Sequence, residues 1–358
     1  MTLAIIVGTR PEIIKMAPLV RACTERSVPF RLLHTGQHYS YEMDGVFFEE
    51  LGLPTPHENL AVGSGTQAYQ IGAIVSGLIP IYERDRPDWV LVEGDTNSVL
   101  AAGLCAHKLG IRVGHVEAGL RSDDRTMPEE VNRILTDQIS DHLYAPTEHS
   151  RERLLQERLP AERIFVTGNT VVDELLHQRP RAEARGVPAR FGVEPRRYAL
   201  ATIHRAENTD RADRLEGILT GLSGAAEALN IEVLCALHPR TTKVMAERGL
   251  EFGAGVRVLP PLPYLDFLGL HAQAAITLSD SGGLQEEACA LGVPCVTLRD
   301  NTERPESVEA GANQLAGADA ERIVAAARAM HTRRGGWANP YGDGRAAHRI
   351  LDALLAAS

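Results

Sequence analysis

Residues 3–15 read LAIIVGTRPEIIK, and this stretch sets the fold. An apolar, partly β-branched run predicts a buried strand; Gly8 then makes a turn, and Pro11 can open a helix at its first position. A dinucleotide-binding turn would show G-x-G-x-x-G here. One glycine stands in its place, so hydride chemistry on a bound nicotinamide has no support. Arg10 and Lys15 lie near the helix start, where two cations and the positive end of the helix dipole favour an anion such as a diphosphate. A solvated Arg and a surface Lys would account for them equally well.

Outward from this unit the alternation repeats. FRLLHTG, DWVLVEGD, IRVGHVEAG, HLYAPT and IFVTGNT are short strand-like runs, with helical spacing across residues 68–84 and 98–108. That is the pattern of βαβ units on a parallel sheet. Residues 179–197, RPRAEARGVPARFGVEPRR, are basic and punctuated by Pro and Gly, and read as the approach to a second domain and not as a helix. YALATIH, EVLCALHP, VRVLPP, AAITLSDS and PCVTL then resume the alternation, and residues 346–356 predict a last amphipathic helix turning back toward the first domain. The expected class is α/β: two Rossmann-like domains, residues 1–168 joined by 341–358 and residues 169–340. Their parallel sheets are expected to face a central cleft, with ligand at the carboxyl ends of the strands.

Composition narrows the function. The chain has 358 residues, 44% of them hydrophobic and 23% charged, which suits a folded protein with two cores. A formal net charge of −10, with no dense Lys/Arg cluster, opposes a nucleic-acid partner. No stretch has the apolar length of a membrane span and no secretory leader precedes the first strand, so a cytoplasmic protein is expected. The five cysteines form no C-x-x-C pair and sit among Ala, Leu and Val, as buried hydrophobes in a reducing compartment do; no structural zinc is expected.

Residues 280–294, DSGGLQEEACALGVP, combine two demands. Ser281 is a natural N-cap, and Gly282 and Gly283 let backbone N–H groups approach phosphate oxygens at the helix mouth. Glu286 and Glu287 follow within a turn, about 100° apart on the helix, so at most one faces a ligand. A carboxylate there could take the hydroxyls of a ribose, and phosphate plus ribose describe a nucleotide. Without a ligand the stretch is a plain strand-to-helix turn.

Other strand ends carry chemistry-bearing residues. Asp95 in VLVEGDTNS is either a cleft acid or a helix cap. Glu117 in GHVEAGLR ends an apolar strand, so it is functional or paired, with Arg121 and Arg133 as possible partners. Glu129 in TMPEEVNR stands where a capping box with Thr126 would explain it fully. Together the three form a candidate acid cluster able to exchange protons near neutral pH. His204 and Arg205 in ATIHRAEN could move a proton or clamp phosphate, and His238 and Arg240 in ALHPRT add positive charge to the rim. A strand-end His is also often an ordinary satisfied polar residue.

In order along the chain, GTRPEIIKMAPL, GQHY, EGDTNSVLAAGLCA, GHVEAGLR, MPEEVNR, GNTVVDEL, HRAEN and DSGGLQEEA resemble the non-hydrolysing UDP-N-acetylglucosamine 2-epimerases over nearly the whole chain. The resemblance implies a GT-B fold and a homodimer. It implies interconversion of UDP-GlcNAc and UDP-ManNAc without a cofactor, by elimination of UDP to a 2-acetamidoglucal and re-addition. It assigns Asp95, Glu117, Glu129 and His204 to catalysis. UDP binding falls to Arg10, Lys15, His204, Arg205, Ser281, Gly282, Gly283 and Glu287. A regulatory pocket would involve Gln37, His38 and His238. Two departures stand out: SDDRTM before Pro128 is short, which bears on the choice between Glu129 and Glu130, and YSYEM after His38 differs from the run many bacterial members carry. Competing expectations are a modified UDP-sugar such as a UDP-diacetamido-uronic acid, a hydrolysing epimerase, a GT-B glycosyltransferase and a non-catalytic nucleotide-sugar sensor.

Overall fold

The computed structural model describes residues 1–37, 41–333 and 335–357. Two compact units result, Met1–Glu174 with Tyr341–Ser358, and Leu175–Pro340. The division falls after residue 174, inside the helix Thr170–Ala184, where the sequence pattern places it after 168.

The first unit is built on a parallel seven-stranded sheet of β1 (Leu3–Val7), β2 (Phe30–His34), β3 (Glu58–Asn59), β4 (Trp89–Glu93), β5 (Arg112–Val116), β6 (His142–Ala145) and β7 (Ile164–Val166). Its order is β3-β2-β1-β4-β5-β6-β7, so strand order reverses between β1 and β4. The second unit carries a parallel six-stranded sheet of β8 (Tyr198–Ile203), β9 (Glu232–Leu237), β10 (Val256–Leu259), β11 (Ile276–Ser279), β12 (Cys295–Thr297) and β13 (Asn313–Leu315). Its order, β10-β9-β8-β11-β12-β13, reverses between β8 and β11. Both sheets follow the doubly wound order in which ligands bind at the reversal. The expected pair of Rossmann-like α/β domains is present. Strands β3 and β13 are too short to show a periodicity, and the sequence pattern misses both.

Parallel strands covered on both faces read as unbroken apolar runs. Every residue of β1, β4 and β8 is buried accordingly. In the first unit Ile6, Val90 and Val92 pack with Leu78 and Tyr82 of the helix Gln67–Asp85 and with Ala102 and Ala106 of the helix Asn97–Lys108. In the second, Ala201 and Ile203 pack with Leu215, Ile218 and Leu222 of the helix Ala212–Leu229 and with Ile323 of the helix Ala320–His331. Each fully buried Leu, Ile or Val contributes about 1.5–3 kcal/mol, which fixes the strand ends as rigid platforms.

One expectation fails. Residues 179–197 are partly helical: the helix Thr170–Ala184 runs through Pro180, and Val187–Arg190 forms a further turn. Pro180 forfeits its bond to the carbonyl four residues back, which belongs to the exposed Leu176. The arginines are held by acids that the composition hides: Arg179 Nε donates to Glu183 at 2.7 Å, and Arg185 Nη1 to Asp266 at 2.8 Å. The helix Ala346–Ala356 belongs to the first unit, where Asp173 accepts from the Ala346 and Ala347 amides at 3.0 and 2.8 Å. All five cysteines are free and buried. Among the described residues no helix is long and apolar enough to cross a membrane.

Candidate active site

Lys15 organises the strand ends of the first unit. The turn after β1 is tight: a Cβ on Gly8 would lie 2.2 Å from Ser98 Oγ and 2.3 Å from Thr35 Oγ1. Thr9 then caps the helix Arg10–Glu25, with Glu12 closing a capping box. Burial pushes the Glu12 carboxyl up to about 7 against the lowering effect of Thr96 and the Gly8 and Thr9 amides, and nearby Asp95 raises it further. Arg10, the first residue of the helix, has its guanidinium carbon 5.5 Å from the Phe47 ring centroid, within cation–π range.

One turn on, the Lys15 ammonium is 2.9 Å from Glu93 Oε1 and in contact with Glu117 Oε2. All three side chains are largely sequestered, 16%, 2% and 3% exposed for Lys15, Glu93 and Glu117. Glu117 is therefore paired by Lys15. Arg121 goes instead to Asp137 and Glu157, each at 2.7 Å, and Arg133 to Asp95 and Glu130. Burial drives the Glu93 carboxyl well above its usual range; Lys15 pulls it down, and the adjacent Glu117 pushes it back up. Two carboxylates around one ammonium make a group that can hold or release a proton at modest cost. Glu117 also has a left-handed backbone, φ +69°, held by the amides of Glu117 and Ala118 both donating to the Tyr144 carbonyl. A non-glycine residue pays for that conformation, and such strain concentrates at functional positions.

Asp95, just beyond β4, is one-third exposed and pairs with Arg133. Beside it, fully buried His115 is locked between Asp137 Oδ1 at 2.6 Å and the Gly94 carbonyl at 2.8 Å, fixing the β4 and β5 ends together.

Glu129 and Glu130 divide differently from the capping-box expectation. The helix Pro128–Ile139 is capped by Met127 without a side-chain bond, while Thr126 bonds Asp124. Glu130 is buried and accepts from the amides of Ser122 and Asp123, the Ser122 hydroxyl and Arg133 Nη1, so its carboxylate is fully spent. Glu129 is exposed. Pro128 starts the helix too late for Thr126 to cap it, which removes the structural explanation for Glu129.

Gln37 is buried, its side-chain oxygen accepting from Ser98 N at 3.1 Å and Ser98 Oγ at 2.6 Å. His38 lies outside the described residues. His238, in the other unit, is exposed and caps the helix Pro239–Arg248 by accepting from the Arg240 amide at 3.2 Å; Arg240 pairs with Asp210 at 2.7 Å.

In the second unit a residue absent from the sequence-based candidates anchors the rest. Asp280, wholly buried after β11, accepts from the amides of His204 and Arg205 at 3.0–3.1 Å and lies 2.9 Å from His204 Nδ1. Burial opposes its charge, yet His204, the Arg205 amide and Asn208 outweigh that and hold it below the usual carboxylate range. His204 is thereby oriented with 41% of its side chain open. Arg205 Nε is buried with no hydrogen-bond partner among the described residues. Ser281 caps the helix Gly282–Leu291, accepting from Leu284 N at 3.4 Å. A Cβ on Gly282 would meet Arg304 Nη1 at 3.1 Å, and Arg304 Nε bonds buried Glu286 at 2.8 Å. Gly283 opens onto free space. Of the two glutamates, Glu286 is spent on Arg304 and Glu287 remains partly exposed. Among the described residues no group of three or more His, Cys, Asp and Glu could hold a metal ion.

Two doubly wound parallel-sheet domains, each with polar residues gathered at the strand-order reversal, define a protein of the GT-B class. The profile of the UDP-N-acetylglucosamine 2-epimerases matches residues 21–355. A UDP-N-acetylglucosamine 2-epimerase of Methanocaldococcus jannaschii is 47% identical over 361 residues, with 99% of each chain covered. The crystal structure of that organism's UDP-GlcNAc 2-epimerase in complex with UDP-GlcNAc and UDP superposes with a TM-score of 0.91, covering 99% of this chain and 100% of that one. A UDP-2,3-diacetamido-2,3-dideoxy-D-glucuronate 2-epimerase of Pseudomonas aeruginosa is 39% identical, again over 99% of both. The chain belongs to the UDP-N-acetylglucosamine 2-epimerase family.

Proposed function

We propose that the protein interconverts UDP-GlcNAc and UDP-ManNAc without hydrolysing either, with its first unit carrying the proton chemistry and its second holding UDP. The observation that carries this reading is the Lys15–Glu93–Glu117 cluster at the β4 and β5 ends, in a chain of this family. Direct removal of the C2 proton from an unactivated sugar carbon demands an extreme base. Departure of UDP leaves positive character at C1, and the C2–H electron pair becomes the C1=C2 bond of the glycal as a carboxylate takes the proton. Return of UDP to C1, with a proton delivered by a second acid to the opposite face of C2, completes the inversion; the first carboxylate is left protonated and the second ionised, and proton exchange with solvent resets the pair. Glu117, Asp95 and Glu129 are the proposed acids and bases, and Lys15 balances the charge that moves among them. Arg10, Arg205, Ser281, the Gly282 and Gly283 amides and His204, set by Asp280, stabilise the departing diphosphate as preorganised donors. Glu287 takes the ribose. We place the enzyme in the cytoplasm as a homodimer, which analytical ultracentrifugation tests.

Proton NMR of the protein with UDP-GlcNAc in D2O, no nicotinamide added, tests the reading. It expects UDP-ManNAc bearing deuterium at C2, lost in Glu117→Gln. The 39% identity to the Pseudomonas aeruginosa relative supports a second substrate, a UDP-diacetamido-uronic acid, to be run in parallel. Turnover of that sugar alone moves the assignment to it, and free ManNAc marks hydrolysis. Exchange on neither sugar overturns epimerisation.

A further inference from the structure

The second unit contains an imidazole whose polar atoms are unaccounted for. His271 sits in the last turn of the helix Tyr264–Ala272, with no exposed surface. Neither ring nitrogen has a hydrogen-bond partner among the described residues. The ring packs against Phe267, centroids 6.0 Å apart, and its Nδ1 lies 3.5 Å from Glu287 Oε2. That gap is too narrow for a water and slightly too long for a good hydrogen bond. Leaving a buried N–H unpaired is costly, so an imidazole is a poor choice for a purely apolar packing position.

Glu287 is the one acid on this helix with an outward role open to it. Glu286, one residue earlier, is buried and tied to Arg304. Glu287 is a turn beyond Gly283, whose Cβ direction is empty, and it keeps 19% of its side chain exposed. Its Oε2 is the oxygen that faces His271.

We infer that His271 is a positioning residue for Glu287: its Nδ1–H donates to Glu287 Oε2 when the carboxylate receives the vicinal hydroxyls of a ribose. The pair is thus a device for selecting ribonucleotides over 2′-deoxyribonucleotides. The inference rests on the proposal that this unit holds UDP. A carboxylate accepting from two sugar hydroxyls must be fixed in rotation, and a charge-assisted bond from a rigid, buried donor fixes it. Closing the 3.5 Å gap also satisfies the Nδ1–H, so ligand binding and relief of that buried donor occur together.

Affinities of UDP and 2′-deoxy-UDP for the wild type, His271→Leu, Glu287→Gln and the double variant, measured by calorimetry, test this. The wild type is expected to favour UDP over 2′-deoxy-UDP at least tenfold. His271→Leu should weaken UDP about tenfold and 2′-deoxy-UDP, which keeps only the 3′-hydroxyl, by no more than about threefold, and the double variant should be no weaker than Glu287→Gln. Equal weakening of both nucleotides, or of neither, overturns the inference and makes His271 a packing residue. Wild-type protein that binds UDP without discriminating the deoxy form also overturns it, while leaving the UDP-sugar reading intact; failure to bind UDP at all removes both. Should His271→Leu not fold, 15N-histidine spectra of the wild type decide. A protected Nδ1 proton appearing with UDP and not with 2′-deoxy-UDP is expected, and identical spectra with the two nucleotides overturn the inference.

Discussion

Replacing Lys15 with Met keeps most of its apolar stem and deletes the ammonium that faces Glu93 and Glu117. Removing one partner from a buried ion pair costs about 3–5 kcal/mol because a buried charge is left uncompensated. Here that figure is a ceiling, since the stranded carboxyls can escape by taking up a proton. Burial already drives Glu93 well above its unfolded value of 4.5, and without Lys15 the main opposing influence is gone. An acid whose folded pKa is raised contributes stability that is fully present below its unfolded pKa and lost as pH rises through the folded one. The deficit of Lys15→Met relative to wild type is therefore expected to be under about 1 kcal/mol at pH 5 and to approach about 3 kcal/mol by pH 8. Urea unfolding at the two pH values measures it. Lys15→Met/Glu93→Gln removes one of the two carboxylates and should recover about 1–3 kcal/mol at pH 8. A deficit of equal size at both pH values, or no recovery in the double variant, refutes the claim that Lys15 serves as the shared counter-ion.

Three further outcomes follow from named contacts. Asp280→Asn should lower turnover by releasing His204, and should cost about 1–3 kcal/mol at neutral pH. Because Asp280 sits below its unfolded 3.8, the wild type's advantage is present above that value and closes as pH falls through the lower folded pKa, which acid titration of the two proteins checks. Glu130→Gln should destabilise by about 1–3 kcal/mol through its four donors, whereas Glu129→Gln should leave stability within about 0.5 kcal/mol and abolish C2 deuteration; thermal unfolding and NMR separate them. Gly8→Ala places a Cβ 2.2 Å from Ser98 Oγ and should cost about 1–3 kcal/mol by overpacking, read as a lowered Tm.

Some site residues were legible because a local rule exposes them. Glu117 ends an apolar strand, where an acid needs a partner, and it has one. Glu93 and Asp280 end apolar strands too, in VLVEGD and TLSD, so the same rule marks both, although the helix-capping residues beside them offer a competing explanation for the polarity there. Arg304 and His271 carry no local mark at all. Their importance comes from what the fold sets against them, the Gly282 turn in one case and Glu287 in the other. Glu129 and Glu130 show the reverse: adjacent identical residues separate only when the helix start is known, since a shift of the cap from Thr126 to Met127 decides which carboxylate folds back.

The βαβ alternation, its division into two Rossmann-like halves and the missing dinucleotide turn were written in the chain, because strand burial on both faces imposes unbroken apolar runs and a parallel sheet imposes helical crossovers between them. Partner choice was not. The pattern places Lys15 beside a helix mouth, and the tertiary structure sets it between two buried carboxylates from distant strand ends, Glu93 and Glu117. Periodicity specifies which face of an element is buried. Which charges meet across that burial depends on strand order and register, and only the assembled sheet sets those.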